Sequence, residues 1–262
     1  MSNSSFFPHT LRRPSAKVRL FCFPYAGANA AYYRSWGPIL PDEIELWPVE
    51  LPGRGTRFSE PAQDCMSSLA RDVAAVIAQH AEIPFALFGH SMGSAIAFAT
   101  SENLLSRHGI KPAAVFASGR AAPHKVRKRS IHLLSDEGIR EEIQRLGGTP
   151  PEIMGNEELM TLVLPVIRND YRLIETYEPE TDCKIQSPVH VLCGRDDVDA
   201  PLQDLKAWQE LTSESCDVTL FDGDHFYLNG ELQKVVSRVV GQLDAILRRS
   251  TINKPSELTV LT

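Results

Sequence analysis

The sequence predicts an α/β fold, a mostly parallel central sheet flanked by helices, and three observations carry that prediction. Short apolar runs alternate with longer amphipathic segments. One apolar run leads through Gly89-His90-Ser91-Met92-Gly93 into a helical segment. The alternation breaks once, between about residues 120 and 187, where helical patterns stand alone. A length of 262 residues suits one large domain, and a hydrophobic content of 43% supplies its core.

Buried strands are predicted at 18–23, 44–49, 85–88, 113–117, 189–193 and 218–221, each a short apolar run. Helices are predicted between them. The segment 67–80 sets Leu69, Val73, Val76 and Ile77 on one face, and 91–108 is stopped by Gly109 and Pro112. Further helices fall at 201–211 and 232–247. Within the break, 136–146 and 157–177 read as helices, the second bent near Pro165, because proline removes a helix hydrogen bond. An insertion of that size reads as a helical lid. The expected organisation is an N-terminal segment 1–16, a domain 17–248 with its lid at about 120–187, and a flexible polar tail 249–262.

The net charge is −6, so a general nucleic-acid binder is excluded: phosphate neutralisation needs a basic face. Cys22, Cys65, Cys183, Cys193 and Cys216 are scattered and form no C-x-x-C pair, the pattern of reduced thiols in a cytoplasmic protein. The first residues show no secretory signal pattern, and no apolar run is long enough to span a membrane. No coiled-coil pattern or surplus apolar strip is visible, so a monomer is expected.

The pentapeptide from Gly89 to Gly93 fits the nucleophile elbow of an α/β-hydrolase fold, since a strand precedes it and a helix follows. A tight strand-to-helix turn leaves no room for side chains flanking the serine. It also puts Ser91 at a helix N-terminus, where free N–H groups favour a developing anion. A serine hydroxyl needs a base, and in this fold the order along the chain is serine, acid, histidine. Of eight histidines, His225 lies directly after a late strand and before the last helix. His90 sits inside the elbow and is expected to point away from the serine's partner. The acid should follow strand 189–193. Asp196, Asp197 and Asp199 compete there, and the spacing from Gly194 selects Asp197 to orient the imidazole. A metal cluster of Asp222, Asp224 and His225 has no supporting histidine spacing, so no metal is expected. Two backbone N–H groups should hold the oxyanion, one from Met92 after the nucleophile and one from Ala26 in the loop after the first strand.

Together these segments resemble the type II thioesterases that accompany nonribosomal peptide and polyketide synthetases. The likeness runs from about Val18 to Leu247. It is carried by Phe21-Cys22-Phe23-Pro24-Tyr25-Ala26-Gly27 with Trp36, and by Leu51-Pro52-Gly53-Arg54 with Arg57 and Glu60. Ser118-Gly119 with Ala122-Pro123-His124 looks like the entry to the family's lid. Leu164-Pro165 with Arg168, Asp170-Tyr171, Glu175 and Tyr177 is similar to its second lid helix, and Gly223-Asp224-His225-Phe226-Tyr227-Leu228 to its histidine loop. One departure is Ala28, where the family usually has a second glycine; this puts the shape of the oxyanion loop in question.

The resemblance implies an α/β-hydrolase fold with its lid after the sixth core strand. It implies a substrate acyl group in thioester linkage to the 4′-phosphopantetheine arm of an acyl or peptidyl carrier protein. The arm belongs to the substrate, so no cofactor is expected. Leu159, Leu162, Val163, Val166 and Ile167 either line the acyl chamber or form the lid's own packing face. The basic run from His124 to Arg129 reads as a solvated loop, with contact to a carrier protein as the alternative. Two other functions use the same fold: an esterase or acyltransferase acting on free small-molecule esters, and a catalytically silent binding protein.

Overall fold

Strand β1 (Val18–Phe23) sends Val18, Leu20 and Cys22 into one core and Phe21 and Phe23 into another, the period-two pattern of a strand buried on both faces. The computed structural model describes residues 3–126, 129–148, 151–179 and 184–252. Around β1 lie β2 (Ile44–Pro48), β3 (Phe85–His90), β4 (Ala114–Ser118), β5 (Val189–Gly194) and β6 (Cys216–Phe221). They form one parallel sheet in the order β2-β1-β3-β4-β5-β6. The chain steps outward from β1 to β2, then crosses to the far side of β1 for β3. The crevice above such a reversal, at the carboxyl ends of the strands, is where open α/β sheets bind ligands.

Helices α1 (Met66–Ala78) and α2 (Met92–His108) cover the Phe21 face together with Trp208 and Leu211. Tyr33, Trp36 and the last helix cover the other face. The predicted helix 201–211 divides into α6 (Leu202–Lys206) and a 3-10 turn, Ala207–Leu211. After the short α7 (Tyr227–Gly230), α8 (Leu232–Ile252) runs five residues past the expected end at 247, into the tail expected to be flexible. Nothing from Arg248 to Ile252 breaks a helix; the first breaker is Pro255. The tail from 253 onward lies outside the described residues. The N-terminal segment joins the domain, because Phe7 packs on Phe21 and Trp47 with ring centroids 5.4 and 5.1 Å apart.

The helical insertion follows β4, the fourth strand of this sheet rather than a sixth, since β5 and β6 come after it. It contains α3 (Asp136–Leu146), α4 (Pro151–Met154) and α5 (Glu157–Glu175), with Pro165 inside α5. Ser135 and Asn156 cap α3 and α5 by accepting the N–H groups of Gly138 and Leu159. The insertion has a small core of its own, in which Ile139, Ile143, Met160, Leu164 and Tyr171 meet.

Candidate active site

Glycine is required at both ends of the elbow for steric reasons. A Cβ on Gly89 would lie 2.0 Å from the Gly93 carbonyl oxygen, and one on Gly93 would lie 2.2 Å from that of Phe23. Between them Ser91 takes φ 53° and ψ −113°, a strained conformation for a residue with a side chain. Neighbouring groups hold it there. The Ser91 N–H donates to the Ser118 carbonyl at 2.8 Å. Buried Ser94 Oγ lies 2.8 Å from the carbonyl oxygens of both Gly89 and Ser118, and accepts the Ser118 N–H at 3.0 Å.

His225 and Asp197 come from the loops after β6 and β5, and these strands are neighbours. His225 Nδ1 lies 2.8 Å from Asp197 Oδ2. A carboxylate accepts, so Nδ1 carries the proton and Nε2 is left as the basic nitrogen. The close approach of the two loops depends on Gly194, where a Cβ would lie 2.1 Å from the Asp224 carbonyl oxygen. The structure also separates the three competing aspartates. Asp197 is buried, while Asp196 and Asp199 are exposed and Asp199 pairs with Arg129 and Arg145. Asp222 and Asp224 are engaged elsewhere, by Arg195 and by the Phe226 N–H.

His90 does not point away as expected. Its ring centroid lies 5.2 Å from that of His225, in a cage completed by Tyr25, Phe226 and Tyr227. Burial and the neighbouring His225 hold its pKa well below the ordinary histidine value, so it is neutral.

The residues Tyr25-Ala26-Gly27-Ala28 form a turn closed by the Ala28 N–H donating to the Tyr25 carbonyl at 3.0 Å, with Gly27 at φ +80°. A left-handed third residue is the mark of a type II turn and calls for glycine. Ala28, the departure from the family pattern, is not among the positive-φ residues and sits unstrained. Among the described residues neither the Ala26 nor the Met92 N–H donates to a backbone carbonyl of a turn or loop, and Met92 opens α2, where first-turn N–H groups have no intrahelical partner.

Ser91, His225 and Ala26 all line one cavity of about 630 Å³. This is within the range of small-molecule sites. Of the five apolar lid residues proposed for its wall, only Ile167 is there; Tyr171 and Ile174 continue its stripe along α5. Leu159 and Leu162 are 41% and 56% exposed, while Val163 packs against the lid core and Val166 lies off the cavity. The helix is apolar around much of its circumference, and the stripe at 160, 164, 167, 171 is the one that turns inward. Arg120 also lines the cavity, and burial pulls its guanidinium down to about 10. In the basic run, His124 and Lys125 pair with Glu210 and Arg129 with Glu142; Arg127 and Lys128 lie outside the described residues.

Sequence reasoning missed one buried pairing. Buried Arg54 donates to Asp170 through Nη1 at 2.7 Å and Nη2 at 2.6 Å, joining the segment after β2 to α5. Both residues belong to the motifs quoted for the resemblance, which was the only signal of their importance. No helix among the described residues is long and apolar enough to cross a membrane.

Residues 18–245 match the family model described as a thioesterase domain. The thioesterase PikA5 of Streptomyces venezuelae is 37% identical over 231 residues, covering 88% of this chain and 82% of its own. The gramicidin S biosynthesis protein GrsT of Aneurinibacillus migulanus is 34% identical over 234 residues, covering 89% and 91%. The structure of BorB, a type II thioesterase from the borrelidin biosynthetic cluster, superposes with a TM-score of 0.83 at 32% identity, covering 93% of this chain and 99% of BorB.

Proposed function

The chain belongs to the thioesterase domain family, and from that membership we propose that it removes acyl groups from the 4′-phosphopantetheine arm of carrier proteins in nonribosomal peptide or polyketide biosynthesis. It is a hydrolase acting on thioesters. The observation that carries the mechanism is the 2.8 Å contact of His225 with buried Asp197, beside a strained Ser91 in the same cavity.

In the proposed reaction Ser91 Oγ attacks the thioester carbonyl while His225 Nε2 takes its proton. Asp197 holds the imidazole in the tautomer that leaves Nε2 free and stabilises the imidazolium that forms. The N–H groups of Ala26 and Met92 receive the oxyanion, each worth about 3 kcal/mol at the transition state. The pantetheine thiolate leaves with the proton from His225. A water molecule, deprotonated by the same nitrogen, then releases the acid from Ser91. Nothing in this sequence requires a cofactor. The carrier protein is the partner, and the enzyme acts beside its synthetase in the cytoplasm as a monomer.

The test is mass-spectrometric deacylation of loaded carrier proteins. Ser91→Ala and His225→Ala are expected to lose at least about 10⁴-fold in kcat with the fold intact. Wild-type turnover in either variant sinks the mechanism. A p-nitrophenyl ester hydrolysed faster than every loaded carrier protein favours the free-ester reading instead.

A further inference from the structure

We infer that Asp170, its charge balanced by Arg54, is a positioning residue for the oxyanion turn, clamping it from the lid side so that the Ala26 N–H keeps its place beside Ser91. The inference rests on the acyl-enzyme reading above and names what holds one of its two donors.

The turn needs a clamp. An oxyanion donor works within a window of about 2.7–3.1 Å, so a shift of a few tenths of an ångström matters. Glycine at the third position of a turn is free to adopt either sign of φ, so the peptide between Ala26 and Gly27 has two accessible orientations. One contact selects between them: the Gly27 N–H donates to Asp170 Oδ2 at 2.7 Å. Arg54 Nη1 donates to the Ala28 carbonyl at 3.2 Å, at the far end of the turn. Before the turn, the Tyr33 hydroxyl donates to the Phe23 carbonyl at 2.7 Å. One helical turn before Asp170, Ile167 lies flat on the turn: a Cβ on Gly27 would be 2.7 Å from its Cγ1. Thus α5 grips the backbone at two points, and the turn is rigid only while the lid helix is seated.

The energetics agree. Asp170 is fully buried and Arg54 is 5% exposed. Desolvating both charges costs several kcal/mol per ion, and apolar replacements of such pairs are often as stable or more so. A buried ion pair is therefore a poor device for stability alone. Here Asp170 spends its two oxygens on three donors, and one of them is the backbone of the turn.

Removing Asp170 alone would strand Arg54 in the interior, so the test uses two double variants. Arg54→Met/Asp170→Asn has no buried charge but keeps an oxygen for the Gly27 N–H. Arg54→Met/Asp170→Leu has neither. Each is assayed with an acyl-pantetheine thioester, with a trifluoromethyl ketone that forms a tetrahedral adduct on Ser91, and with a non-hydrolysable amide analogue of the thioester. The asparagine variant is expected to keep kcat within about threefold of wild type. The leucine variant is expected to lose 10- to 100-fold in kcat and in ketone affinity, with KM and amide affinity unchanged. Equal kcat in the two double variants overturns the inference, and so does a loss that falls on KM and amide affinity.

Asp170→Glu keeps the ion pair and displaces the acceptor by one methylene. It is expected to lower kcat about tenfold at unchanged KM. Wild-type kcat in this variant refutes the clamp even where the leucine variant fails to fold. A wild-type enzyme without thioesterase activity, or an active Ser91→Ala, strikes the proposed function itself; full wild-type activity with equal double variants strikes the clamp alone.

Discussion

Gly93 ties the elbow to the loop that carries the Tyr25–Ala28 turn, and Gly93→Ala measures how closely the two are packed. The added methyl would lie 2.2 Å from the Phe23 carbonyl oxygen, 2.8 Å from the Phe23 carbonyl carbon and 2.9 Å from the Pro24 carbonyl oxygen. All three atoms are backbone, at the end of β1 and the start of the loop that carries Ala26, so no side chain can rotate away. Restoring ordinary contact means opening a gap of about 1 Å between α2 and that loop. Overpacking of this kind costs about 1–3 kcal/mol of stability. A misplacement near 1 Å at the reacting atoms costs on the order of 100-fold in rate. The assay is kcat on an acyl-pantetheine thioester together with a urea unfolding curve. Gly241→Ala is the control: it lies inside α8 with nothing within 4 Å of the new methyl, and is expected to leave kcat unchanged. Its stability should rise by up to about 1 kcal/mol, because alanine is the better helix former. Gly93→Ala with kcat within threefold of wild type and an unshifted unfolding midpoint would refute the steric account of the elbow.

Three further outcomes follow from the same structure. Hydrogen bonds from Ser67 and Ser68 lower the Cys65 thiol to about 7, whereas burial raises Cys22 and Cys193, so iodoacetamide should label Cys65 first among these three, half-maximally near pH 7; peptide mapping checks the order. Buried His90 is held neutral with a pKa below its ordinary 6.5, so below pH 6.5 the unfolded chain binds a proton that the folded one refuses. Stability should then fall by about 1.4 kcal/mol per pH unit as pH drops from 6.5 toward the folded-state pKa, and urea midpoints that stay level from pH 7 to pH 5 would contradict the assignment. Leu162, 56% exposed on the outer face of α5, should tolerate serine with stability within about 0.5 kcal/mol and no change in acyl-chain preference, read by deacylation of a chain-length series.

What was legible in the sequence follows from how local each signal is. The elbow, the histidine loop and the aspartate after β5 each sit within a few residues of a strand end, where the topology leaves little choice of direction. The lid's inner face is a different problem. Leu159, Met160, Leu162, Val163, Leu164, Val166 and Ile167 leave few polar positions to mark an outside, so the choice of stripe depends on what α5 packs against. Arg54 and Asp170 are 116 residues apart, and neither gives a local sign that the other is its partner. The orientation of His90 was missed because its cage draws on two segments distant in the chain, the loop after β1 and the one after β6. Strand β6 starts two residues earlier than its apolar run, at Cys216 and Asp217, because it is an edge strand and most of it is only half buried.

The order of the sheet also explains how a site contributed by four strand ends holds together. β1 and β3 are adjacent and in register at Phe23 and Gly89, so the Tyr25–Ala28 turn and the elbow rise side by side. β5 and β6 are adjacent and in register at Gly194 and Phe221, so the loops of Asp197 and His225 do the same. β4 lies between the two pairs and ends on Ser118, opposite His90 on one side and Leu192 on the other. The whole residue is used. Its carbonyl accepts the Ser91 N–H at 2.8 Å, and its N–H is bound by Ser94 at 3.0 Å. Its hydroxyl lies 2.9 Å from His90 Nδ1 and 2.7 Å from the hydroxyl of Tyr227, two residues beyond His225. A neutral His90 needs a partner at Nδ1, and a buried tyrosine hydroxyl left unpaired costs about 1–3 kcal/mol, so one small polar residue satisfies both. Alanine at 118 would keep the two backbone bonds to the elbow and lose the link to the histidine loop. The strained turn at Ser91 and the loop that carries His225 are thus joined through the strand between them, independently of the lid.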